Sequence, residues 1–557
     1  MNQTWWEKAV VYQIYPKSFN DTTGNGVGDI QGIVEKLDYL HKLGVDVIWL
    51  TPIYASPQRD NGYDISDYFS IHPEYGTMKD FDLLLSEAHK KGIKVIMDIV
   101  VNHTSTEHEW FKQAASSKDN PYRNYYIWKD GKEDGSEPNN WQSKFGGNAW
   151  QYDEKTGQYY LHLFDVTQAD LNWENEELRN KIYEMMNFWF EKGVDGFRLD
   201  VINLISKNQQ FPDDFVGDGR RFYTDGPRAH EFIHEMNKEV FSKYDSMTVG
   251  EMSSTTLEHC IQYSNPKRQE LSMTFNFHHL KVDYPNGEKW ALGDMDFFAL
   301  KEILSNWQTG MNKGGGWNAL FWCNHDQPRV VSRYGNDKEY HKESAKMLAT
   351  VIHMMQGTPY IYQGEEFGMT DPKFNSIEDY RDVESINMFN LLKEAGKTEE
   401  EILEILRRKS RDNSRTPVQW NDKANAGFTS GTPWINTARN YHEINAESAL
   451  KDTDSIFYHY QKLISLRKEY DIVTNGDYEL LLPEHPQLFA YVRSNDTEKL
   501  IVVNNFYETH ISFELPAHVD IEGYTQNMLL TNYSDSKMNL EKIELRPYES
   551  IVFHLKK

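Results

Sequence analysis

The chain has 557 residues, and its 85 acidic and 59 Lys and Arg side chains give a formal net charge of −26. This charge excludes nonspecific binding to nucleic acid or anionic membranes, because the summed field repels phosphate groups. Phe, Trp and Tyr make up 14% of the residues, which excludes an intrinsically disordered chain. A chain of this length can bury a large core and should contain more than one domain.

The sequence shows no sign of export or membrane insertion. Cys260 and Cys323 are the two cysteines, which is too few for a disulfide framework. The first residues lack a basic start followed by an apolar run, and no stretch of about 18 apolar residues exists that could cross a bilayer. We therefore expect a cytoplasmic protein without membrane or nucleic-acid partners, either a monomer or a weak homo-oligomer.

Short apolar segments rich in β-branched residues alternate with segments of helical periodicity. Near-continuous apolar runs are typical of parallel strands that are buried on both faces. Eight such strands alternating with helices predict an α/β fold, a (β/α)8 TIM barrel. The predicted strands cover residues 10–15, 45–50, 95–101, 196–199, 247–250, 273–277, 319–323 and 359–362.

Two segments interrupt the alternation. Residues 104–172 are rich in Asn, Gly, Trp and Tyr and are too long for a loop, so they predict a small domain B inserted after the third strand. The barrel then comprises residues 1–103 and 173–477, and residues 363–455 should form a long irregular excursion within it. Alternating strands over residues 478–557 predict a C-terminal antiparallel β-sandwich domain.

Charged and histidine side chains follow four of the eight predicted strands, at the end where such a barrel carries its chemistry. They are Asp98 and His103 at the third strand, Arg198 and Asp200 at the fourth, Glu251 at the fifth, and His325 and Asp326 at the seventh. Buried carboxylates cost free energy unless they are paired, so any one of them could be structural. We assign a structural role to Asp98, as a partner for Arg198, and expect the others to converge on one cleft.

Glycoside hydrolysis needs one ionised carboxylate and one that stays protonated near neutral pH. Arg198 lies two residues before Asp200, so both side chains project to one face of the strand and the guanidinium would keep Asp200 ionised. Glu251 would need a dry setting that raises its pKa. The remaining side chains of the cluster could bind sugar hydroxyls in the transition state: Asp326, His103 and His325.

Four segments resemble the signature regions of the α-amylase clan of glycoside hydrolases. They are Asp-Ile-Val-Val-Asn-His at 98–103, Gly-Phe-Arg-Leu-Asp at 196–200, Glu251, and Asn-His-Asp at 324–326. The resemblance extends over essentially the whole chain. It implies that Asp200 is the nucleophile, Glu251 the general acid and base, and Asp326 the transition-state stabiliser of a reaction that retains the anomeric configuration through a covalent glucosyl-enzyme.

The same resemblance implies a pocket for one terminal glucose. Asp60 and Tyr63, in the run Asp-Asn-Gly-Tyr-Asp, match the clan's residues at the non-reducing sugar, and Arg411 matches the arginine that pairs with Asp60. Such a pair would close the far side of the pocket and exclude polymer chains. Phe145 and Phe164, in the predicted domain B, are candidates for the walls of the cleft.

Further runs place the chain within the clan. Residues 168–173, where Ala replaces a usual Pro, and Val201 resemble the oligo-1,6-glucosidase branch. Three segments resemble the corresponding segments of enzymes that cleave trehalose 6-phosphate: residues 252–256, 273–290 and 319–326. This resemblance implies that trehalose 6-phosphate is the small-molecule substrate. The alternatives are an oligo-1,6-glucosidase or α-glucosidase acting on isomaltose-type ends, a transglycosylating isomerase, and a non-catalytic accessory protein of a transporter.

The segment after the sixth strand is rich in basic side chains. A phosphate group requires charge-assisted donors, and Lys supplies a flexible positive charge. This segment should lie on the leaving-sugar side of the cleft, so Lys281, Lys289 and His279 are candidate phosphate ligands. The alternatives are a solvated loop, as in most clusters of Lys, and a histidine that braces the loop or lines the core.

Residues 21–29 resemble a calcium loop. Asp21, Asn25 and Asp29 would supply side-chain oxygens and Val27 a carbonyl oxygen. Thr23 stands where an Asn or Asp ligand is expected, and the alternative is a Gly-rich turn held by Asx hydrogen bonds. The sequence is compatible with a structural calcium or magnesium ion here, and the proposed chemistry requires no cofactor.

Overall fold

The computed structural model describes residues 4–537 and 539–557. Eight parallel strands follow one another in chain order around a barrel. We label them β1 (Val11–Ile14), β2 (Val47–Leu50), β3 (Lys94–Ile99), β4 (Gly196–Leu199), β5 (Met247–Glu251), β6 (Met273–Phe275), β7 (Ala319–Leu320) and β8 (Thr358–Tyr362). β1 pairs with both β2 and β8, and a parallel bridge from Thr274 to Asn318 joins β6 to the start of β7. The predicted barrel is confirmed.

The strands are buried on both faces, as their apolar sequences require. Helices surround the barrel, and local signals set their ends. Asn175 accepts a hydrogen bond from Leu178 N–H at one helix start, and Gly193 adopts the left-handed conformation after its last turn. The longer helices are Met78–Lys90, Glu176–Lys192, Ala229–Glu239, Leu257–Ser264, Phe297–Gly314, His341–His353 and Ile456–Glu469.

The segment expected to be irregular, residues 363–455, contains two substantial helices, Val383–Glu394 and Glu399–Lys409. That expectation was wrong, because the Pro and Asp residues lie outside both helices, although Asn387 and Asn390 lie within the first. Thr398 begins the second helix with a capping box. The segment then returns to the barrel and places residues 411–415 beside the carboxyl ends of the strands.

An insertion lies over the carboxyl end of β3. His103–Ser105 pairs antiparallel with Gln168–Asp170, so the chain leaves and re-enters the barrel at neighbouring points. Between these points, Gln158–Leu161 is the central strand of a three-stranded antiparallel sheet, with Trp128–Lys129 and Trp150–Asp153 at its edges. This insertion can therefore supply a wall above the barrel's carboxyl end.

The chain ends in the predicted antiparallel β domain. Its five-stranded sheet contains, in spatial order, Asp477–Leu481, Leu488–Ser494, Glu498–Asn505, Ser550–Lys556 and Thr525–Thr531. A second sheet pairs Ile511–Glu514 with Lys542–Leu545, and the two sheets share an apolar core. Among the described residues, no helix combines the length and hydropathy needed to cross a bilayer.

Candidate active site

The guanidinium of Arg198 lies among three carboxylates at the carboxyl ends of β3, β4 and β5. Its Nη1 donates to Asp98 at 2.9 Å and to Asp200 at 2.5 Å, and its Nη2 lies 2.7 Å from Glu251. The Arg198 side chain is 1% exposed, so these charges interact in a medium of low dielectric constant. The predicted pairing of Arg198 with Asp98 is confirmed.

Strand register explains this arrangement. Arg198 is aligned with Asp98 on β3, and the following positions of β4 and β5 bring Asp200 and Glu251 to the same end of the barrel. Trp49 Nε1 and Tyr63 Oη donate to Asp98 at 3.1 and 3.0 Å. These fixed donors stabilise Asp98, which in turn orients the guanidinium.

The two carboxyl groups beside Arg198 differ in protonation. Burial raises the pKa of Asp200 to about 6, although Arg198 opposes this effect. Burial raises the pKa of Glu251 to about 8, and the negative charges of Asp200 and Asp326 add to the shift. Near pH 7, Asp200 is therefore mostly ionised while Glu251 is mostly protonated, which is the division of roles that a retaining glycosidase needs.

Val201, directly after Asp200, adopts a strained backbone conformation. Its φ of +35° lies in the left-handed region, which a β-branched residue rarely enters. The strain turns its N–H toward Glu251, to which it donates at 3.0 Å. The backbone next to Asp200 thereby fixes the position of the second carboxyl group.

The catalytic carboxyl groups face a cavity of about 420 Å³. Asp200, Glu251 and Asp326 all line it. Most of the other predicted substrate-binding residues line it as well: Asp60, Tyr63, His103, Phe145, Phe164, Lys281, Lys289 and Arg411. The lining does not include Arg198, His325 or His279. Arg198 and His325 lie behind the cavity wall, where they contact the lining carboxylates Asp200 and Asp326.

One side of the cavity is closed by buried charges. Arg411 Nη2 donates to Asp60 Oδ1 at 2.9 Å, and Gln168 Nε2 donates to Asp60 Oδ2 at the same distance. Arg411 also donates twice to Asp382, at 2.9 and 2.5 Å. Burial raises the pKa of Asp60 to about 7 against the opposing effect of Arg411. The predicted pairing of Asp60 with Arg411 is present.

Asp326 is bound by cations and by a histidine. Arg415 lies 2.7 Å from its carboxylate, and Arg411 and His325 each lie 3.4 Å away. Burial opposes ionisation of Asp326, but the guanidinium groups of Arg411 and Arg415 lower its pKa below the usual range. His325 itself is buried and uncharged, since burial lowers its pKa to about 3, and the Tyr63 ring stacks on it at 5.1 Å. Asp326 is therefore ionised and fixed.

His103 and two phenylalanines form another wall. Burial lowers the pKa of His103 to about 4, so the ring is neutral, and its Nε2 lies 3.1 Å from the Tyr63 carbonyl oxygen. Phe145 and Phe164 meet edge to face with centroids 5.5 Å apart. Apolar ring surfaces beside a closed polar end suit a sugar, which presents both C–H faces and hydroxyls.

The structure divides the three predicted phosphate ligands. Lys281 lines the cavity, and Lys289 lines it while hydrogen bonded to Glu384. The prediction for His279 was wrong: it is buried and its Nε2 donates to the Phe321 carbonyl oxygen at 2.7 Å. Residue type alone does not reveal direction within a tight turn, and His279 points into the core.

The loop at residues 21–29 has its side-chain oxygens engaged by protein donors. Asp21 accepts hydrogen bonds from the backbone N–H groups of Thr23, Gly24 and Gly26. Asp29 accepts from Thr22 and Gly32, and Asn25 accepts from Val27 N–H. The described residues contain no cluster of three or more His, Cys, Asp or Glu side chains suited to a metal. The arrangement favours the alternative, an Asx-bonded turn, over the structural cation expected from the sequence, and that expectation is untested.

Sequence reasoning missed several residues of the site. Asp382 joins Arg411 and Arg415, yet nothing in its surroundings marks it, because its partners lie about 30 residues away. Arg415 was detectable in principle, since it follows Arg411 by one helical turn. The other missed residues are Gln168, which donates to Asp60, and the cavity-lining Lys144, Arg220 and Glu384.

Comparison with known proteins agrees with this geometry. The α-amylase catalytic domain matches residues 13–476, and the C-terminal domain of the α-amylase SusG matches residues 488–552. Trehalose-6-phosphate hydrolase of Bacillus subtilis strain 168 is 69% identical over 99% of this chain and 98% of its own. Oligo-1,6-glucosidase of Parageobacillus thermoglucosidasius is 54% identical over the full length of both chains.

A solved structure is similar throughout. The crystal structure of Bacillus licheniformis trehalose-6-phosphate hydrolase is 71% identical, with a TM-score of 0.97 and complete coverage of both chains. A crystal structure of an isomaltulose synthase mutant from Erwinia rhapontici NX5 is 43% identical with a TM-score of 0.95. The family match spans most of the chain and the fold similarity all of it, and the chain belongs to the α-amylase family of glycoside hydrolases.

Proposed function

We propose that this protein hydrolyses trehalose 6-phosphate to glucose and glucose 6-phosphate. One observation carries the proposal, and it concerns Lys281 in the cavity lined by Asp200, Glu251 and Asp326. This cavity is closed on one side by Asp60 and Arg411. Lys281 also lines it and has no carboxylate partner in the described chain. A neutral disaccharide gives no reason to keep an unpaired cation in the cavity wall. The names of the relatives at 69% and 57% identity support the same substrate.

The proposed first step transfers a glucosyl group to the enzyme. An ionised Asp200 oxygen attacks the anomeric carbon and forms a covalent bond to it, while the bond from that carbon to the glycosidic oxygen breaks. Glu251, protonated near neutral pH, gives its proton to the departing oxygen, which becomes a hydroxyl of glucose 6-phosphate. Asp326 stays ionised and binds hydroxyls of the flattening ring.

The second step releases glucose. Glu251, now a carboxylate, takes a proton from a water molecule whose oxygen attacks the anomeric carbon. The bond to Asp200 breaks and its carboxylate returns, so two inversions give net retention. Arg198 contacts both carboxyl groups throughout and stabilises the ionised form of each in turn.

The alternative substrate is an isomaltose-type end, because relatives named oligo-1,6-glucosidase are 52–54% identical. The carboxylates and the Asp60–Arg411 pair serve either sugar. Lys281 distinguishes the two proposals, because its charge-assisted contact forms only when the leaving sugar carries a phosphate group.

Product analysis tests the proposal. The protein is incubated with trehalose 6-phosphate, and ¹H and ³¹P NMR follow the products with time. We expect stoichiometric glucose and glucose 6-phosphate, with α-glucose appearing before mutarotation, and no turnover by Asp200→Asn. Release of inorganic phosphate, initial β-glucose, or normal turnover by Asp200→Asn would each refute this mechanism.

A further inference from the structure

Five Lys and Arg side chains line the active-site cavity, and ion pairs divide them into two groups. Three are neutralised by carboxylates: Arg411 by Asp60, Arg220 by Asp218, and Lys289 by Glu384. In the described part of the chain, Lys144 and Lys281 have no carboxylate within ion-pair distance. In the described residues, the cavity wall therefore contains two lysines without an ion-pair partner, and Lys144 has no role in the chemistry above.

Lys144 belongs to the insertion above the barrel. Its backbone N–H donates to the Leu163 carbonyl oxygen at 2.8 Å, and the next residue, Phe145, lines the cavity. Among the described residues, its ammonium group makes one hydrogen bond, to Ser253 Oγ at 3.3 Å. An ammonium group has three donors, so Lys144 can still donate to a ligand.

A tight contact fixes this wall. The backbone N–H of Gln142 donates to the Asp218 carbonyl oxygen at 3.0 Å. Gly219 has a φ of +94°, and a Cβ atom at this position would lie 2.4 Å from Trp141 Cγ, so only glycine lets the loop pack so closely. Arg220 follows directly and is held by two-point contact with Asp218. These contacts hold the backbone segments that carry Lys144 and Arg220 against each other.

The cations affect one another. Burial lowers the pKa of Lys144 to about 8, and Arg220 and Lys281 contribute to the decrease. Burial and Arg220 also lower the pKa of Lys281. Repulsion between cations in a partly desolvated wall is relieved when an anion binds between them.

We propose that Lys144 binds the phosphate group of the substrate together with Lys281, each from a different wall of the cavity. This inference rests on the proposed function. A phosphate monoester carries about −1.5 to −2 charges at pH 7, which two unpaired lysines neutralise. Because one lysine comes from the insertion and the other follows β6, together they fix both the charge and the position of the leaving sugar.

The test compares Lys144→Met, Lys144→Arg and Lys281→Met on two substrates, trehalose 6-phosphate and neutral 4-nitrophenyl α-glucoside. We expect Lys144→Met to lower kcat/KM for the phosphorylated sugar about 10- to 100-fold, as for loss of a charge-assisted hydrogen bond. The same variant should lower kcat/KM for the glucoside less than about threefold. Lys144→Arg should recover most of the loss. Lys155→Ala, at an exposed lysine of the same insertion, is the matched control and should change neither value.

Inhibition by inorganic phosphate supplies a second measurement. Its inhibition constant against the glucoside should rise in Lys144→Met and stay unchanged in Lys155→Ala. Equal losses on both substrates, or no loss on either, would overturn the role of Lys144. If the wild-type protein prefers isomaltose, the proposed function is refuted instead. If the wild-type protein prefers trehalose 6-phosphate and Lys144→Met keeps that preference, only this inference is refuted.

Discussion

Arg411 Nη2 donates a hydrogen bond to Asp60 Oδ1 at 2.9 Å, and this contact joins residues 351 positions apart in the sequence. Asp60 is 4% exposed and Arg411 is 7% exposed, so the pair closes its side of the cavity. We therefore expect a substrate to place one terminal sugar against the pair without extending past it. On the proposed function, we expect this pair to contact the sugar that all candidate substrates share.

Replacing Asp60 should impair every substrate to the same extent. Asp60→Asn removes the charge that we expect to bind sugar hydroxyls, while Asp382 still neutralises Arg411. We expect kcat/KM for trehalose 6-phosphate and for 4-nitrophenyl α-glucoside to fall together, about 10- to 100-fold. A loss confined to the phosphorylated substrate would show that Asp60 does not contact the shared glucose.

The dependence of activity on pH should have two limbs. Asp200 must be ionised, so activity decreases as the pH falls through about 6, and protonation of Asp60, with a pKa of about 7, adds to the decrease. Glu251 must be protonated, so activity decreases as the pH rises through about 8. The measurement is kcat/KM for 4-nitrophenyl α-glucoside, because its neutral leaving group avoids the titration of phosphate near pH 6.

A maximum of kcat/KM near pH 7 to 7.5 would agree with these assignments. The pH profile should be the same at low and moderate ionic strength, because Asp60, Asp200 and Glu251 are buried. A rate that stays constant from pH 6 to pH 9 would contradict the division of protonation between Asp200 and Glu251.

Replacing Lys281 should affect only the phosphorylated substrate. Lys281→Ala is expected to raise KM for trehalose 6-phosphate about 10- to 100-fold, because it removes a charged donor from the cavity wall. The neutral glucoside should change little. Since Asp60→Asn acts on both substrates, the two variants are controls for each other, and equal losses on both substrates in Lys281→Ala would refute the phosphate role.

The loop at residues 21–29 should be insensitive to chelators. Donors of the protein already occupy the oxygens of Asp21 and Asp29, so no bound ion is needed to stabilise the turn. We expect the melting temperature in excess EDTA to stay within about 1 °C of its value in calcium or magnesium. A decrease of several degrees that added calcium reverses would establish the structural cation.

The sequence was sufficient to predict the barrel and the carboxylates at its strand ends. Apolar runs identify buried strands locally, and the ends of parallel strands necessarily meet, so Asp200 and Glu251 could be placed together without a structure. The pairing of Asp60 with Arg411 came from family resemblance, because no local pattern links residues so far apart.

Side-chain direction and long-range neutralisation were beyond sequence reasoning. His279 and Lys281 lie two residues apart in one basic run, yet the first donates into the core and the second lines the cavity. Lys289 looks like a free cation in the sequence, but Glu384 neutralises it. Lys144 stands in a segment without a basic cluster, and only folding of the insertion brings it to the cavity.

Substrate preference is the most direct test of the central claim. The measurement is kcat/KM of the wild-type protein for trehalose 6-phosphate, unphosphorylated trehalose and isomaltose under one set of conditions. Because the phosphate group should contact the two unpaired lysines, we expect kcat/KM for trehalose 6-phosphate to exceed that for either neutral sugar by at least about 100-fold. Turnover of isomaltose at a rate equal to or above that of trehalose 6-phosphate would contradict the account.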